Sequence, residues 1–230
     1  MDIDNRYRAV FFDLDGTLLD TLDDLTDAVN RTMADFSFAQ YDREQIRSFV
    51  GYGARRLLER AVPAGTDEKT REACFDVFQS YYPAQTGDKT IPYPGIPALL
   101  GTLKERGIKT AVISNKPHQA TVAVCNHFFG DLVSFALGGD ERVRPLKPAP
   151  DALLYAMEQL GVTREQCIYV GDADTDVHLA QNAKIPCISV TWGFRSRAEI
   201  AAAGGKVFAD TVEQLEALLE QGPAAMKGLY

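Results

Sequence analysis

The stretch Ala9-Val10-Phe11-Phe12-Asp13-Leu14-Asp15-Gly16-Thr17-Leu18 runs four apolar residues into two carboxylates spaced two apart. The apolar run reads as a buried strand, and side chains along a strand alternate, so both acids at its end face one site. Two such charges repel by about 4 kcal/mol at 4 Å and an effective dielectric near 20. The pair therefore needs a cation, a shared proton or open solvent, and a divalent metal is the simplest cation. Gly16 lets the backbone turn tightly beside a ligand and Thr17 adds a hydroxyl, which suits a small anionic group held by a hard cation. The opening of the chain thus points to phosphate chemistry.

Further along, short β-rich runs recur at Thr110–Ser114, Ser134–Leu137, Cys167–Gly171 and Cys187–Thr191, each ending in small or polar residues. Helical patterns separate them at Ala98–Arg106, Gln119–Phe128, Asp151–Leu160 and Thr175–Ala183, and Val212–Leu219 closes the series. This alternation predicts parallel βαβ units, an α/β fold with a doubly wound sheet whose ligands bind at the carboxyl ends of the strands. Residues 19–90 break the rhythm. Leu22, Leu25, Val29, Met33 and Phe36 follow helical spacing, and Asp42-x-x-Gln45 predicts a second helix start by capping-box logic. Cys74, Phe75, Phe78 and Tyr81 give a further apolar helix face, after which Thr86-Gly87-Asp88 with Pro92 and Pro94 reads as a return linker. The expectation is a core of residues 1–18 and 91–230 carrying an inserted α-helical cap at 19–90, placed above the site.

Composition narrows the setting. An apolar share of 46% with 24% charged residues is ordinary for a globular chain. The net charge of −8, with no basic cluster to track a nucleic-acid backbone, excludes nucleic acid as the expected partner. No apolar run approaches the roughly 20 residues needed to span a bilayer, and Met1–Arg6 lacks the order of a signal peptide, so a cytoplasmic protein without membrane association is expected. Cys74, Cys125, Cys167 and Cys187 show no metal-type or C-x-x-C spacing and read as reduced core residues. His118, His127 and His178 are scattered and read as surface or packing residues, and Trp192 as packing at the core edge.

Three more constellations fall at predicted strand ends: Ser114-Asn115-Lys116, Lys147-Pro148 and Gly171-Asp172-Ala173-Asp174-Thr175-Asp176. Each alone has an ordinary explanation as a turn, a helix start or a loop. Together with Asp13-x-Asp15, and in this order across nearly the whole chain, they resemble the haloacid dehalogenase-like superfamily of aspartate-nucleophile phosphotransferases. The resemblance implies that Asp13 is the nucleophile and Asp15 the general acid and base. It implies Mg²⁺ held by the Asp13 carboxylate, the Asp15 carbonyl and Asp172, with Asp176 behind them and Asp174 a helix-starting residue. It further implies that Thr17, the Ser114 hydroxyl, the Asn115 amide at the start of a helix, and Lys147 bind the phosphate.

Asp15 argues against a true dehalogenase, since displacing a halide needs no protonated leaving group. The insertion after the first motif is similar to the cap of phosphoglycolate phosphatases, β-phosphoglucomutases and some pyrophosphatases. Ile113-Ser114-Asn115-Lys116-Pro117 and Val50-Gly51-Tyr52-Gly53-Ala54-Arg55-Arg56-Leu57 resemble phosphoglycolate phosphatases most. The expected activity is a Mg²⁺-dependent phosphatase for a small phosphorylated metabolite, 2-phosphoglycolate first, with a mutase or pyrophosphatase as alternatives. Gly51 and Arg55 are the expected cap contacts, with Arg55 or Arg56 pairing with a substrate carboxylate. The non-enzyme alternative is a phospho-aspartate signalling receiver, which has about half this length and no helical cap. Lys184 stands where the family usually has glycine before its last core strand.

Overall fold

The structure, a computed structural model, describes residues 6–85 and 89–226. The chain opens with β1 (Ala9–Phe12) and the short β2 (Leu19–Asp20), then runs through α1 (Leu22–Asp35), α2 (Arg43–Phe49), α3 (Ala54–Ala61) and α4 (Glu68–Gln85). It returns through β3 (Ile91–Pro92) into α5 (Ile96–Glu105), β4 (Lys109–Pro117), α6 (His118–Phe128), β5 (Phe135–Gly139) and α7 (Asp151–Leu160). Next come β6 (Cys167–Gly171), α8 (Asp174–Ala183), β7 (Cys187–Val190), α9 (Arg197–Ala202), β8 (Val207–Ala209), α10 (Val212–Glu220) and the single turn α11 (Gly222–Ala225).

Six strands form one parallel sheet in the order β5-β4-β1-β6-β7-β8. The sheet is the doubly wound one expected. Alternation along each strand sorts its side chains into two cores. Val10, Phe12, Val112, Ile168 and Val170 pack on one face with Leu99 and Leu103 of α5, Val124 of α6 and Leu215 of α10. Phe11, Ala111, Ile113, Cys167 and Tyr169 pack on the other with Leu153 and Met157 of α7 and Leu179 of α8. Strand β1 lies between β4 and β6, in register Phe12↔Val112 and Phe12↔Val170, so Asp13 emerges between the ends of both neighbours. This is the crossover point where open α/β sheets bind ligands.

Helices α1 to α4 bury a third cluster of their own, in which Leu25, Val29 and Met33 of α1 meet Ile46, Leu57, Cys74, Phe78 and Tyr82. The capping box at Asp42 is present in both directions: Gln45 N donates to Asp42 Oδ1 at 2.8 Å and Asp42 N to Gln45 Oε1 at 2.9 Å. The chain leaves and re-enters the sheet region through an antiparallel pair, Leu19↔Pro92 and Asp20↔Ile91. Behind it, buried Asp24 of α1 accepts Lys89 N at 2.9 Å, Thr90 N at 3.0 Å and the Thr90 hydroxyl at 2.6 Å. Of the return linker, Thr86-Gly87-Asp88 lies outside the described residues.

One local expectation changes. Strand β4 runs through Ser114 to Pro117, with a register shift between Ile113 and Pro117, and α6 begins only at His118. Ser114 and Asn115 are therefore at a strand end, not a helix start, because Pro117 disfavours helical backbone at Lys116 before it. Lys184 adopts the left-handed conformation at the end of α8 (φ 58°), the geometry that a glycine would take without strain. All four cysteines are free, with Cys74, Cys125 and Cys167 buried. No helix among the described residues is long and apolar enough to cross a membrane.

Candidate active site

Three neighbouring strand ends bring the separated motifs together around one cavity. Asp13 and Asp15 follow β1, Ser114-Asn115-Lys116 end β4, and Asp172 follows β6, while Lys147 comes from the loop before α7. The loop after β7 supplies Phe194 and Arg195, and the helical segment closes the cavity with Leu25, Gly51, Leu57, Phe78 and Tyr82.

Lys147 Nζ lies 2.8 Å from Asp13 Oδ1 and 2.8 Å from Asp176 Oδ1, and the ammonium is almost wholly buried. Burial pulls its pKa down, but Asp13 and Asp176 outweigh that and hold it above the ordinary lysine value. Asp13 Oδ1 also accepts Leu14 N at 2.7 Å. Burial pushes the Asp13 carboxyl well above the usual range; Lys147 pulls it back, and Asp176 and Asp172 push it further up. Burial, then Asp176, lifts Asp172 to about 7.

Asp176 braces this cluster. Its Oδ1 takes Lys147 Nζ and the Tyr169 hydroxyl at 3.1 Å, and its Oδ2 takes the Asp172 and Ala173 amides at 3.1 Å each. Asp172 is held by Phe194 N on Oδ2 at 2.7 Å and by the Thr17 hydroxyl on Oδ1 at 3.1 Å. Two glycines permit the close packing around it. A Cβ on Gly16, where φ is 89°, would sit 2.4 Å from Asp172 Oδ2, and one on Gly193 would sit 2.4 Å from both that oxygen and Gly16 O. Trp192 pins the same loop by donating Nε1 to Thr17 O at 3.1 Å, so its packing role extends to the edge of the site.

Carboxylate oxygens of Asp13, Asp172 and Asp176 lie within 4.8 Å of one another, all three buried. Lys147 alone cannot balance three ionised carboxylates, and an all-oxygen donor set suits a hard divalent cation, not one that favours nitrogen or sulfur. Each Asp176 oxygen takes two hydrogen bonds while each Asp172 oxygen takes one, which leaves Asp172, with Asp13, as the carboxylates with capacity for a metal.

Other expected residues take different positions. Thr17 is wholly buried, and its hydroxyl serves Asp172. Ser114 lines the cavity, with its Oγ accepting Lys116 N at 3.1 Å. The Asn115 side chain clamps the backbone of Lys147, accepting its N–H at 2.8 Å and donating to its carbonyl at 3.1 Å, and also donates to Gly51 O at 3.1 Å. Gly51 lines the cavity. Arg55 is not brought to it: its guanidinium pairs with Glu72 and covers the Phe75 ring at 4.4 Å on the outside of the helical segment. Asp174 begins α8 and accepts the Tyr52 hydroxyl, tying the helices to the sheet. Arg195 adds a second tie, donating to Arg47 O at 3.0 Å and to Val50 O, and Arg47 donates back to Phe194 O at 3.1 Å.

Sequence reasoning missed Lys116 and Tyr169. Lys116 Nζ lies 3.2 Å from Asp15 Oδ1 and bonds the Tyr82 hydroxyl, with 1% of its side chain exposed. The Ser-Asn-Lys run was the available signal. Tyr169 sits in the apolar run of β6, where nothing in the pattern sets it apart from core.

The haloacid dehalogenase-like hydrolase family model matches residues 10–190. A curated phosphoglycolate phosphatase of Pseudomonas putida is 33% identical over 90% of this chain and 78% of its own length. That of Psychrobacter arcticus is 33% identical over 94% of this chain and 98% of its own. A solved structure from Lactobacillus delbrueckii subsp. bulgaricus, assigned by inference as a phosphoglycolate phosphatase, superposes with a TM-score of 0.88 at 33% identity, covering 93% of this chain and 98% of that one. With its acidic cluster on the crossover strands and this match over most of its length, the chain belongs to the haloacid dehalogenase-like hydrolase family.

Proposed function

We propose that the protein is a Mg²⁺-dependent phosphatase that hydrolyses 2-phosphoglycolate through a phosphorylated Asp13. The observation that carries this reading is the Asp13 carboxylate on the cavity floor, backed by Lys147 and facing Asp172, with Asp15 two residues on. Residues 1–18 and 91–230 act as the catalytic unit and residues 19–90 as its cap. The substrate follows from the relatives named phosphoglycolate phosphatase at about one-third identity.

Asp13 attacks phosphorus as the bond to the ester oxygen breaks, and Asp15 gives that oxygen its proton. Asp15, now a carboxylate, takes a proton from the water that attacks the phospho-aspartate, releasing phosphate and restoring Asp13. Lys147 balances the negative charge of Asp13 and the incoming phosphoryl group throughout, and the Ser114 hydroxyl donates to a phosphoryl oxygen. Asp176, Tyr169 and the Asn115 clamp keep the lysine in place. Asp13, the Asp15 carbonyl and Asp172 would hold Mg²⁺, which would neutralise phosphoryl charge there. Leu25, Leu57 and Phe78 of the cap exclude water from the cavity.

Phosphate release from phosphoglycolate, sugar phosphates, pyrophosphate and an aryl phosphate, with Mg²⁺ and with chelator, tests the reading. Mg²⁺-dependent preference for phosphoglycolate is expected, and Asp13→Asn should release none. Preference for a bisphosphorylated sugar or for pyrophosphate would overturn the substrate.

A further inference from the structure

Among the described residues, three cationic side chains line the cavity: Lys147, Arg195 and Lys116. Lys147 is engaged by Asp13, Asp176 and Tyr169. Arg195 directs its guanidinium at the carbonyls of Arg47 and Val50. Among the described residues the helical segment adds no charge, since Leu25, Val50, Ala54, Leu57, Phe78 and Tyr82 are its side chains on the cavity. A substrate with a second anionic group beside its ester oxygen therefore meets one cation suited to that group, Lys116.

Its position fits. Asp15 must come within hydrogen-bond reach of the ester oxygen, and Lys116 Nζ lies 3.2 Å from Asp15 Oδ1. In a 2-phosphoester of a hydroxy acid, one methylene separates the ester oxygen from the carboxylate. Acid and cation thus stand side by side as do the two substrate groups they would meet. An ammonium has three donors, of which Asp15 and Tyr82 take two. The Tyr82 ring, stacked on Phe78, covers the ammonium at 4.2 Å and shields it from water. The Asp15 carboxylate stands beside the buried ammonium as its counter-charge.

We infer that Lys116 is the specificity-determining residue of the site, binding the carboxylate of the substrate and so selecting a phosphoester of a 2-hydroxy acid over its uncharged analogues. The inference rests on the proposed phosphoglycolate reading. It gives Lys116, not Arg55, the task of pairing with the carboxylate.

The test compares kcat/KM for 2-phosphoglycolate with that for 2-hydroxyethyl phosphate, whose leaving group is also a two-carbon primary alkoxide but carries a hydroxyl in place of the carboxylate. Any effect of Lys116 on Asp15 touches both compounds and cancels in the ratio. Lys116→Gln keeps hydrogen bonding without charge on a side chain one atom shorter and should cut the wild-type preference by about 100-fold, the loss typical when one partner of a buried charge pair is removed. Lys116→Met carries the same test should the glutamine variant fail to fold, as judged by a cooperative melt. A folded variant that retains the wild-type ratio within threefold overturns the assignment and leaves the phosphoglycolate reading standing. A wild-type enzyme with no preference between the two compounds overturns that reading and the Lys116 assignment together.

Discussion

Lys147 Nζ stands 2.8 Å from Oδ1 of Asp13, and both side chains are enclosed by protein. A buried ammonium so placed is both structural and chemical: it lets the nucleophile ionise and holds Asp13 and Asp176 together. Lys147→Met should therefore cost about 3–5 kcal/mol of stability, the usual consequence of stranding buried charge, and at least about 100-fold in kcat. Denaturant unfolding together with phosphate-release kinetics checks both, and a variant that melts normally and turns over normally would remove Lys147 from the mechanism.

Asp13→Asn should abolish turnover, since an amide offers no anionic oxygen to phosphorus. Its stability should not fall by more than about 1 kcal/mol, because the substitution also relieves repulsion with Asp172 and Asp176. Steady-state turnover and a thermal melt give the answer together; measurable phosphate release above contaminating activity would exclude Asp13 as the nucleophile.

In the absence of metal, stability should decline with rising pH. Asp172 is raised to about 7 by burial and then by Asp176, and Asp13 is raised in the same direction. A carboxyl raised in the folded state ionises first in the unfolded chain, near pH 4, so the stability present below that pH is lost as pH rises through about 7. Mg²⁺ binds the ionised form, and its stabilising effect should grow across the same interval. Melts in chelator and in saturating Mg²⁺ across this range test the sign; a chelator profile that rises with pH would contradict it.

Gly193→Ala should destabilise the protein by about 1–3 kcal/mol and lower activity. The added methyl meets Asp172 and the Gly16 carbonyl at 2.4 Å, so Asp172 must move. A crystal structure of the variant with Asp172 unmoved, or unchanged kinetics, would count against this dependence.

Lys184→Gly should raise stability by about 0.5–1 kcal/mol, as relief of the left-handed backbone outweighs the extra freedom of the unfolded chain. That corresponds to a rise in Tm of about 1–4 °C for a protein of this size. Activity should stay at the wild-type level, because the turn is remote from Asp13.

The periodic parts of the fold were legible. Cys167–Gly171 and Asp151–Leu160 appear with the bounds their patterns predict, since an apolar run closed by glycine and an amphipathic decamer each have one reading. The pairing of β2 with β3 was not, because two residues on each strand are too few to show a period. Among the site residues, Asp13, Asp172 and Ser114 meet at one cavity, as their places at strand ends imply, whereas Lys147, expected at a strand end, reaches it from the loop between β5 and α7. The direction of Arg55 was not legible, because an arginine on a short helix can turn either way, and here it turns to Glu72 and Phe75. Lys116 and Tyr82 are 34 positions apart, and no local pattern connects a strand end to a distant helix.

The antiparallel pair of β2 and β3 has an evolutionary consequence. Asp20 and Ile91 face each other, so the chain returns to the sheet about 5 Å from where it departed. To the strands that carry Asp13, Ser114 and Asp172, the intervening helices amount to a socket of fixed width. Any segment whose ends meet that socket can be accepted without altering strand order or register. Mutation can thus remodel what the enzyme admits while the chemistry that cleaves it is inherited intact.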